Sequence, residues 1–200
     1  CQEVSEVIAL GGAVMVYNAP QRTGWLTGWH QETLAEVSAF CHARKETCFK
    51  TQTVAQAAVL HLAGHYYAHN APLFNYGEAV QPVEGALHAL LENHWSTDVL
   101  TEDVALKRLH EYPLAVAPEQ TYLTEAMETA LKAYVRNGGK LVLSGGHLAR
   151  EHGAWLGVEA AGEPIGETCL PTRQEAAPVS GPWQPVQLKG AESYACHMTQ

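Results

Sequence analysis

The sequence is poor in charge, in cysteine and in long apolar runs, and each shortage excludes something. Only 16% of its 200 residues are charged, and lysine and arginine together number 12 against 21 acidic residues. The resulting formal charge of −9 argues against nucleic acid or an anionic membrane as the main partner, because both select for basic surface. The five cysteines (Cys1, Cys41, Cys48, Cys169 and Cys196) are odd in number and irregularly spaced, with no CxxC pair. That excludes a zinc ribbon and a thioredoxin motif, and leaves reduced thiols in a cytoplasmic protein as the expectation. The longest apolar run, Val7–Tyr17, is too short to cross a bilayer and follows Glu3 and Glu6 where a signal peptide wants basic residues.

What is present is enough to fold. A hydrophobic fraction of 46% supports a core and argues against disorder. The run Val7–Tyr17 carries Gly11 and Gly12 and reads as a strand buried on both faces, closed by turn chemistry from Asn18 to Gly24. A helix is expected over 30–44, with Leu34, Val37, Phe40 and Cys41 on one face. The chain opens on Cys1 rather than Met, directly before the apolar run, so it is expected to be a piece of something longer.

After a polar linker over 45–52, strands and helices alternate. Strands are expected over 57–67, 97–100, 113–118 and 140–144, and helices over 80–93, 101–111, 124–137 and 147–156. Val83, Leu87, Leu90 and Leu91 face inward in the first of these helices; the third is amphipathic through Met127, Leu131, Tyr134 and Val135, and Gly138 and Gly139 stop it. This alternation implies an α/β fold with a parallel, doubly wound sheet. The Pro-, Gly- and Glu-rich tail over 163–200 reads as an irregular connection toward a further domain.

Two stretches resemble known families. Ala9–Leu26, with Gly11, Gly12, Asn18, Pro20, Gly24 and Leu26 in comparable positions, is similar to the final barrel strand of α-L-fucosidase-type glycoside hydrolases. A single residue separates Asn18 from Pro20, a slight departure from the family's spacing. Leu109-His-Glu-Tyr-Pro-Leu-Ala-Val-Ala-Pro-Glu-Gln120, through Ala133-Tyr-Val-Arg-Asn-Gly-Gly-Lys-Leu-Val-Leu-Ser-Gly145, resembles the domain that follows the barrel in family 42 β-galactosidases. That resemblance implies a flavodoxin-like, class I glutamine-amidotransferase-like domain that often mediates trimerisation. The two together imply the last β-α unit of a TIM barrel over 1–46, the amidotransferase-like domain over 47–162 and the tail. They also imply a homo-oligomer, with a trimer among the forms allowed, and a carbohydrate substrate reached through the parent barrel.

Barrel active sites lie at the carboxyl ends of the strands, which places Asn18, Gln21, Arg22 and Trp25 as sugar contacts. A polar turn with a solvated Arg22 is the bland alternative. No carboxylate lies between Val7 and Gly28, whereas glycoside hydrolysis needs two. No catalytic residue is therefore assigned within the chain, and no cofactor or metal is expected. The parent is read as a glycosidase; a standalone binding or assembly module and a glutaminase-like amide hydrolase are the rivals.

The amidase reading would rest on Ser144 and His147 in Leu-Ser-Gly-Gly-His, which lacks a cysteine and an orienting acid. His61, His65 and His69, spaced by four, share a face on helix or strand but have no accompanying carboxylate, so structural roles are expected. Glu119, just past a strand end, sits where doubly wound sheets bind ligands. Tyr66, Tyr67, Phe74, Tyr76 and Trp95 form an aromatic-rich stretch that suits an interface or the core.

Overall fold

The computed structural model describes residues 1–69, 80–171 and 176–193, and the chain divides into two compact units, Cys1–Val54 and Ala55–Gln200. The first unit holds α1 (Gln2–Ala9) and α2 (Gly28–Cys48). The predicted helix over 30–44 is thus present and longer, and its stripe of Leu34, Val37, Phe40 and Cys41 is half-buried.

The predicted strand over 7–17 is not there. Its first three residues end α1, and the Gly-Gly pair stops that helix instead of lining a strand. Gly11 adopts φ +78, its N–H reaches Ile8 O at 3.1 Å, and Gly12 N–H reaches Val7 O at 2.9 Å. This pair of bonds is the Schellman arrangement, which needs a left-handed residue that glycine supplies without strain. Residues 12–20 have no regular structure. An apolar run is consistent with helix or strand until a ladder partner decides, and none lies alongside among the described residues.

The second unit is α/β. A four-stranded sheet has β1 (Ala57–His61) at its centre with β3 (Leu114–Pro118), flanked by β2 (Thr97–Thr101) and β4 (Lys140–Ser144) in the order β2-β1-β3-β4. All neighbours are parallel, with Val59 opposite both Val99 and Val116, and Val116 opposite Val142. This is the predicted doubly wound sheet, of flavodoxin-like type. Helices α3 (Ala63–His69), α4 (Gln81–Glu92), α5 (Glu102–Arg108), α6 (Glu125–Arg136), α7 (Gly146–Glu151) and α8 (Gly153–Leu156) connect and cover it.

Alternation along the strands sorts the sheet into two faces. Ala58, Leu60, Leu100, Ala115 and Ala117 point to one side, where they pack with Ala105, Leu109, Tyr112, Met127, Leu131 and Tyr134. On the other side, α4 contributes the buried Val83 over the middle of the sheet. Leu87 and Leu90 are half-buried there, whereas Leu91 is exposed against expectation.

Local signals set the ends of α6. Thr124 Oγ1 accepts the Met127 N–H at 3.2 Å, an N-cap bond, and Gly138 follows the helix at φ +93. Gly139 has no room for a side chain: a Cβ there would lie 2.3 Å from the Tyr134 ring. The expected helix over 147–156 is two short helices broken at His152.

The strand expected over 57–67 stops at His61 because the next amide is diverted. Leu62 N–H donates to Gln120 Oε1 at 2.9 Å, and α3 begins at Ala63. The tail is likewise more regular than its composition suggested. Antiparallel β5 (Val158–Ala160) pairs with β8 (Val186–Leu188), and β6 (Ile165–Pro171) with β7 (Ala176–Trp183). In two-stranded ribbons each strand has an unpaired edge, so proline is tolerated where a central strand would reject it.

Candidate functional site

Asn18, Gln21, Arg22 and Trp25 fall in the irregular segment before α2. Gln21 and Trp25 close a tight loop: Gln21 N–H reaches Trp25 O at 3.0 Å, and Gly24 N–H reaches Gln21 O at 2.8 Å with Gly24 at φ +84. The Gln21 amide donates to Thr27 Oγ1 at 3.0 Å. Arg22 is exposed at the tip, and the Trp25 ring is 77% exposed. Asn18 is tied separately to the first turn of α2, its Oδ1 accepting from His30 Nδ1 at 3.1 Å. Its Nδ2 is buried without a partner.

The fold therefore gathers Gln21, Arg22 and Trp25 in one loop, and holds Asn18 through a residue the sequence reading missed. His30 does that positioning. Trp29, 65% exposed with its ring edge-on to His30 at 3.9 Å, adds a second uncovered indole. The available signal was two tryptophans four apart at a helix start. What this loop can do chemically is offer apolar ring faces beside a guanidinium and an amide, a combination suited to sugar C–H faces and hydroxyls.

The second unit has its own focal point. The connections leave β1 and β3 in opposite directions across the sheet, so the carboxyl ends of these neighbouring strands form the switch point where ligands of open α/β sheets bind. Glu119 follows β3 there with φ +49. Its N–H is held by Ser144 O at 3.0 Å and Ser144 Oγ at 3.2 Å, while its side chain is exposed. The next residue, Gln120, is only 1% exposed; its Oε1 takes the Leu62 N–H and its Nε2 donates to Pro118 O at 2.8 Å. His147 Nε2–H donates to Gln120 O at 2.8 Å.

Ser144 and His147 therefore do not form the imagined dyad. The serine oxygen accepts from a backbone amide, and the imidazole is anchored to a backbone carbonyl. The histidine trio separates as well. His65 is buried and accepts at Nδ1 from Thr121 N–H (3.0 Å) and Thr121 Oγ1 (2.8 Å), while His69 donates from Nδ1 to His65 O at 2.8 Å and stacks on His65 at 4.5 Å. His61 instead meets the Tyr66 ring edge-on at 5.2 Å. These contacts brace α3 against the segment after β3.

Tyr67 is 68% exposed and Trp95 40% exposed, while Phe74 and Tyr76 lie outside the described residues. Cys1, Cys41 and Cys48 are free thiols; the side chains of Cys169 and Cys196 lie outside the described residues. Among the described residues no helix is long and apolar enough to cross a membrane.

At the opposite edge of the sheet, Tyr112 donates to Asp98 Oδ2 at 2.8 Å, and Arg108 pairs with Glu111 at 2.8 Å. Burial, then the Asp98 contact, pushes the Tyr112 phenol up to about 12. Burial also raises Tyr134, whose OH donates to Tyr112 O at 2.8 Å. A cavity of about 360 Å³ lies there, lined by His110, Tyr112, Tyr134 and Asn137 among others.

Comparison with known proteins supports the second unit's reading. Residues 55–152 match the family model of the β-galactosidase trimerisation domain. The chain is similar in structure to α-L-fucosidase isoenzyme 2 from Paenibacillus thiaminolyticus, at 16% identity and a TM-score of 0.79 over 98% of this chain and 31% of that one. It is similar to the β-galactosidase from Bacillus circulans sp. alkalophilus (17% identity, TM-score 0.69, 90% and 30% covered). A third likeness is to the exo-β-1,4-mannosidase Op5Man5 from Opitutaceae bacterium strain TAV5 (16% identity, TM-score 0.60, 88% and 32% covered). At these identities the likenesses show the fold, and the chain spans about a third of the length of each. No curated protein sequence matches the chain.

Proposed function

We propose, from the match of residues 55–152 to the trimerisation domain of β-galactosidases, that this chain is the carboxy-terminal part of a glycoside hydrolase whose α/β unit holds subunits together. On this reading residues 1–46 come from the end of a TIM barrel, with α1 and irregular backbone standing where its last strand was expected, 47–162 are the amidotransferase-like domain, and the catalytic acids come from other barrel strands. The coverage of both units by the fucosidase likeness supports that reading. So does the absence of any carboxylate between Val7 and Gly28.

The domain match carries the proposal, and the sheet gives it a physical basis. On the α4 side, Val59 at the centre is fully buried, but Val99 on β2 and Val142 on β4 are 44% and 52% exposed. Apolar side chains uncovered on the outer strands are surface that self-association would bury. Light scattering of the full chain is expected to give a mass near three times 21.7 kDa, and Val142→Lys to return it to a monomer. A folded monomer at all concentrations, or an unchanged trimer in the variant, overturns the assembly role.

The loop of Gln21, Arg22 and Trp25, with Asn18 behind it, is the sugar-facing element on this reading. Trp25→Ala is expected to abolish tryptophan quenching by added galactose or fucose, and quenching that survives the change overturns the assignment. A glutaminase-like activity finds no support, since no hydrogen bond joins Ser144 to His147 and the imidazole is held by the Gln120 carbonyl.

A further inference from the structure

The cavity beside Tyr112 and Tyr134 has one wall made by the end of α6, and that wall carries a reactive pair, Asn137 followed by Gly138. It is the one Asn-Gly step in the sequence: Asn18, Asn70, Asn75 and Asn93 precede Ala19, Ala71, Tyr76 and His94. An asparagine amide is lost when the next backbone nitrogen attacks its Cγ, and a following glycine has no Cβ to obstruct the approach. Both residues are exposed, and a Cβ on Gly138 would meet nothing within 4 Å, so the backbone has room to turn.

The native cap holds the pair in an unreactive arrangement. Asn137 sits at φ −86 and ψ 9, which sets the Gly138 nitrogen nearly eclipsed with Asn137's own nitrogen rather than with its Cβ. The nitrogen therefore points away from the side-chain carbonyl. Its proton is also engaged: Gly138 N–H donates to Val135 O at 3.0 Å, and Gly139 N–H to Tyr134 O at 3.0 Å. Attack requires that peptide to rotate and those bonds to open. Only the last turn of α6 has to yield, and exposed helix ends open at a small fraction of the free energy of global unfolding.

We propose that Asn137 is a site of spontaneous deamidation in the folded protein, its rate set by opening of the α6 end. The Gly138 nitrogen bonds to Asn137 Cγ and gives up its proton to water, and ammonia leaves. The cyclic imide then takes up one water, opening at one carbonyl to aspartate or at the other to isoaspartate. Either product puts a carboxylate at the C-terminal end of a helix, where orphan carbonyls already concentrate negative potential and where Glu111 lines the same cavity. Isoaspartate also lengthens the main chain by one carbon, just ahead of the Leu114–Lys140 pair that opens the β3–β4 ladder. It thereby draws the Gly138 and Gly139 amides off Val135 and Tyr134, and Gly139 away from the ring packed on it. The site uses no residue of the sugar-facing loop and neither Val99 nor Val142, so it stands or falls separately from the proposed function.

The test is to hold the full chain in mildly alkaline buffer and follow each asparagine by peptide mapping with mass spectrometry. Modification is expected at Asn137 and roughly ten-fold less at Asn18 and Asn93, whose followers carry a Cβ. Below the unfolding transition the Asn137 rate should stay flat with added urea, because a local opening exposes little surface. In fully denaturing urea it should rise by about ten-fold or more, since the cap is then always open. Asn137→Asp carries the charge without the extra carbon and should lower the thermal midpoint; the isoaspartate form, separated by ion exchange, should lower it further. The proposal is overturned if Asn137 stays intact in the folded chain while the denatured chain reacts, if Asn18 or Asn93 reacts as fast, or if folded and denatured rates are equal. A steep rise with urea below the transition would replace local opening by global unfolding, and an isoaspartate form that melts with the parent would remove the effect on the fold.

Discussion

The two units solve the problem of apolar surface differently. Among the described residues, every buried hydrophobic side chain falls between Ala57 and Leu148; neither helix of the first unit has a buried residue. Yet that unit carries Met15, Tyr17, Trp25, Trp29 and Phe49, each at least 64% exposed. In the second unit the parallel ladder brings apolar residues distant in sequence onto one face, and α5 and α6 close over them. A helix such as α2 can satisfy its own backbone hydrogen bonds without any such cover. Regular local structure and a core are therefore separate achievements, and only the second unit shows both.

Removing one large apolar side chain from each unit would break this contrast if it is wrong. Leu131 is fully buried, so Leu131→Ala is expected to lower the unfolding free energy by about 2–5 kcal/mol. Trp29→Ala, in the first unit, should change it by no more than about 0.5 kcal/mol. Urea denaturation monitored by circular dichroism reads both; equal losses would mean the first unit has a core of its own.

Alkaline titration probes the second unit's core edge. Tyr112 is 4% exposed, and its folded phenol holds its proton up to about 12 against 10.0 for an ordinary tyrosine. Between those values the unfolded chain releases the proton and the folded one keeps it, so stability is full below about pH 10 and falls as pH rises toward 12. The loss is on the order of 2 kcal/mol. Tyr112→Phe should flatten this part of the stability–pH curve, leaving only the contribution of Tyr134; an unchanged slope would show that Tyr112 is not its source.

Two smaller effects sharpen the comparison. Thr124→Ala removes the N-cap of α6 and should cost about 1 kcal/mol in thermal unfolding, whereas Thr27 before α2 makes no side-chain cap bond and its replacement should cost far less. Lys132 pairs with Glu128 one turn away, and this contact holds the carboxyl below its usual range. Both groups are partly solvated, so Lys132→Ala should cost no more than about 0.5 kcal/mol, and less at high salt.

Legibility followed the range of the interactions. Strands over 97–101, 114–118 and 140–144 and the helix 125–136 were readable because period and caps lie within a dozen residues. The misreadings share a cause. Gly11 and Gly12 suit a helix stop as well as a strand, and the residues that decide lie outside the run. The end of β1 was invisible because Gln120, 58 positions on, takes the Leu62 amide. Of the predicted loop, Gln21, Arg22 and Trp25 were found together, but His30 behind Asn18 was not, since a side-chain bond across a helix start leaves no periodic trace.

By itself the sequence determined the alternation of elements, the stripes that became helix faces and the turn chemistry that separates them, because each is fixed by the backbone preferences of a few neighbouring residues. Only the tertiary structure decided the strand order β2-β1-β3-β4 and, with it, the switch point at which Glu119, Ser144 and His147 meet around Gly145. Parallel pairing is chosen by which apolar faces can be buried together, and that choice brings together residues whose separation along the chain carries no sign of it.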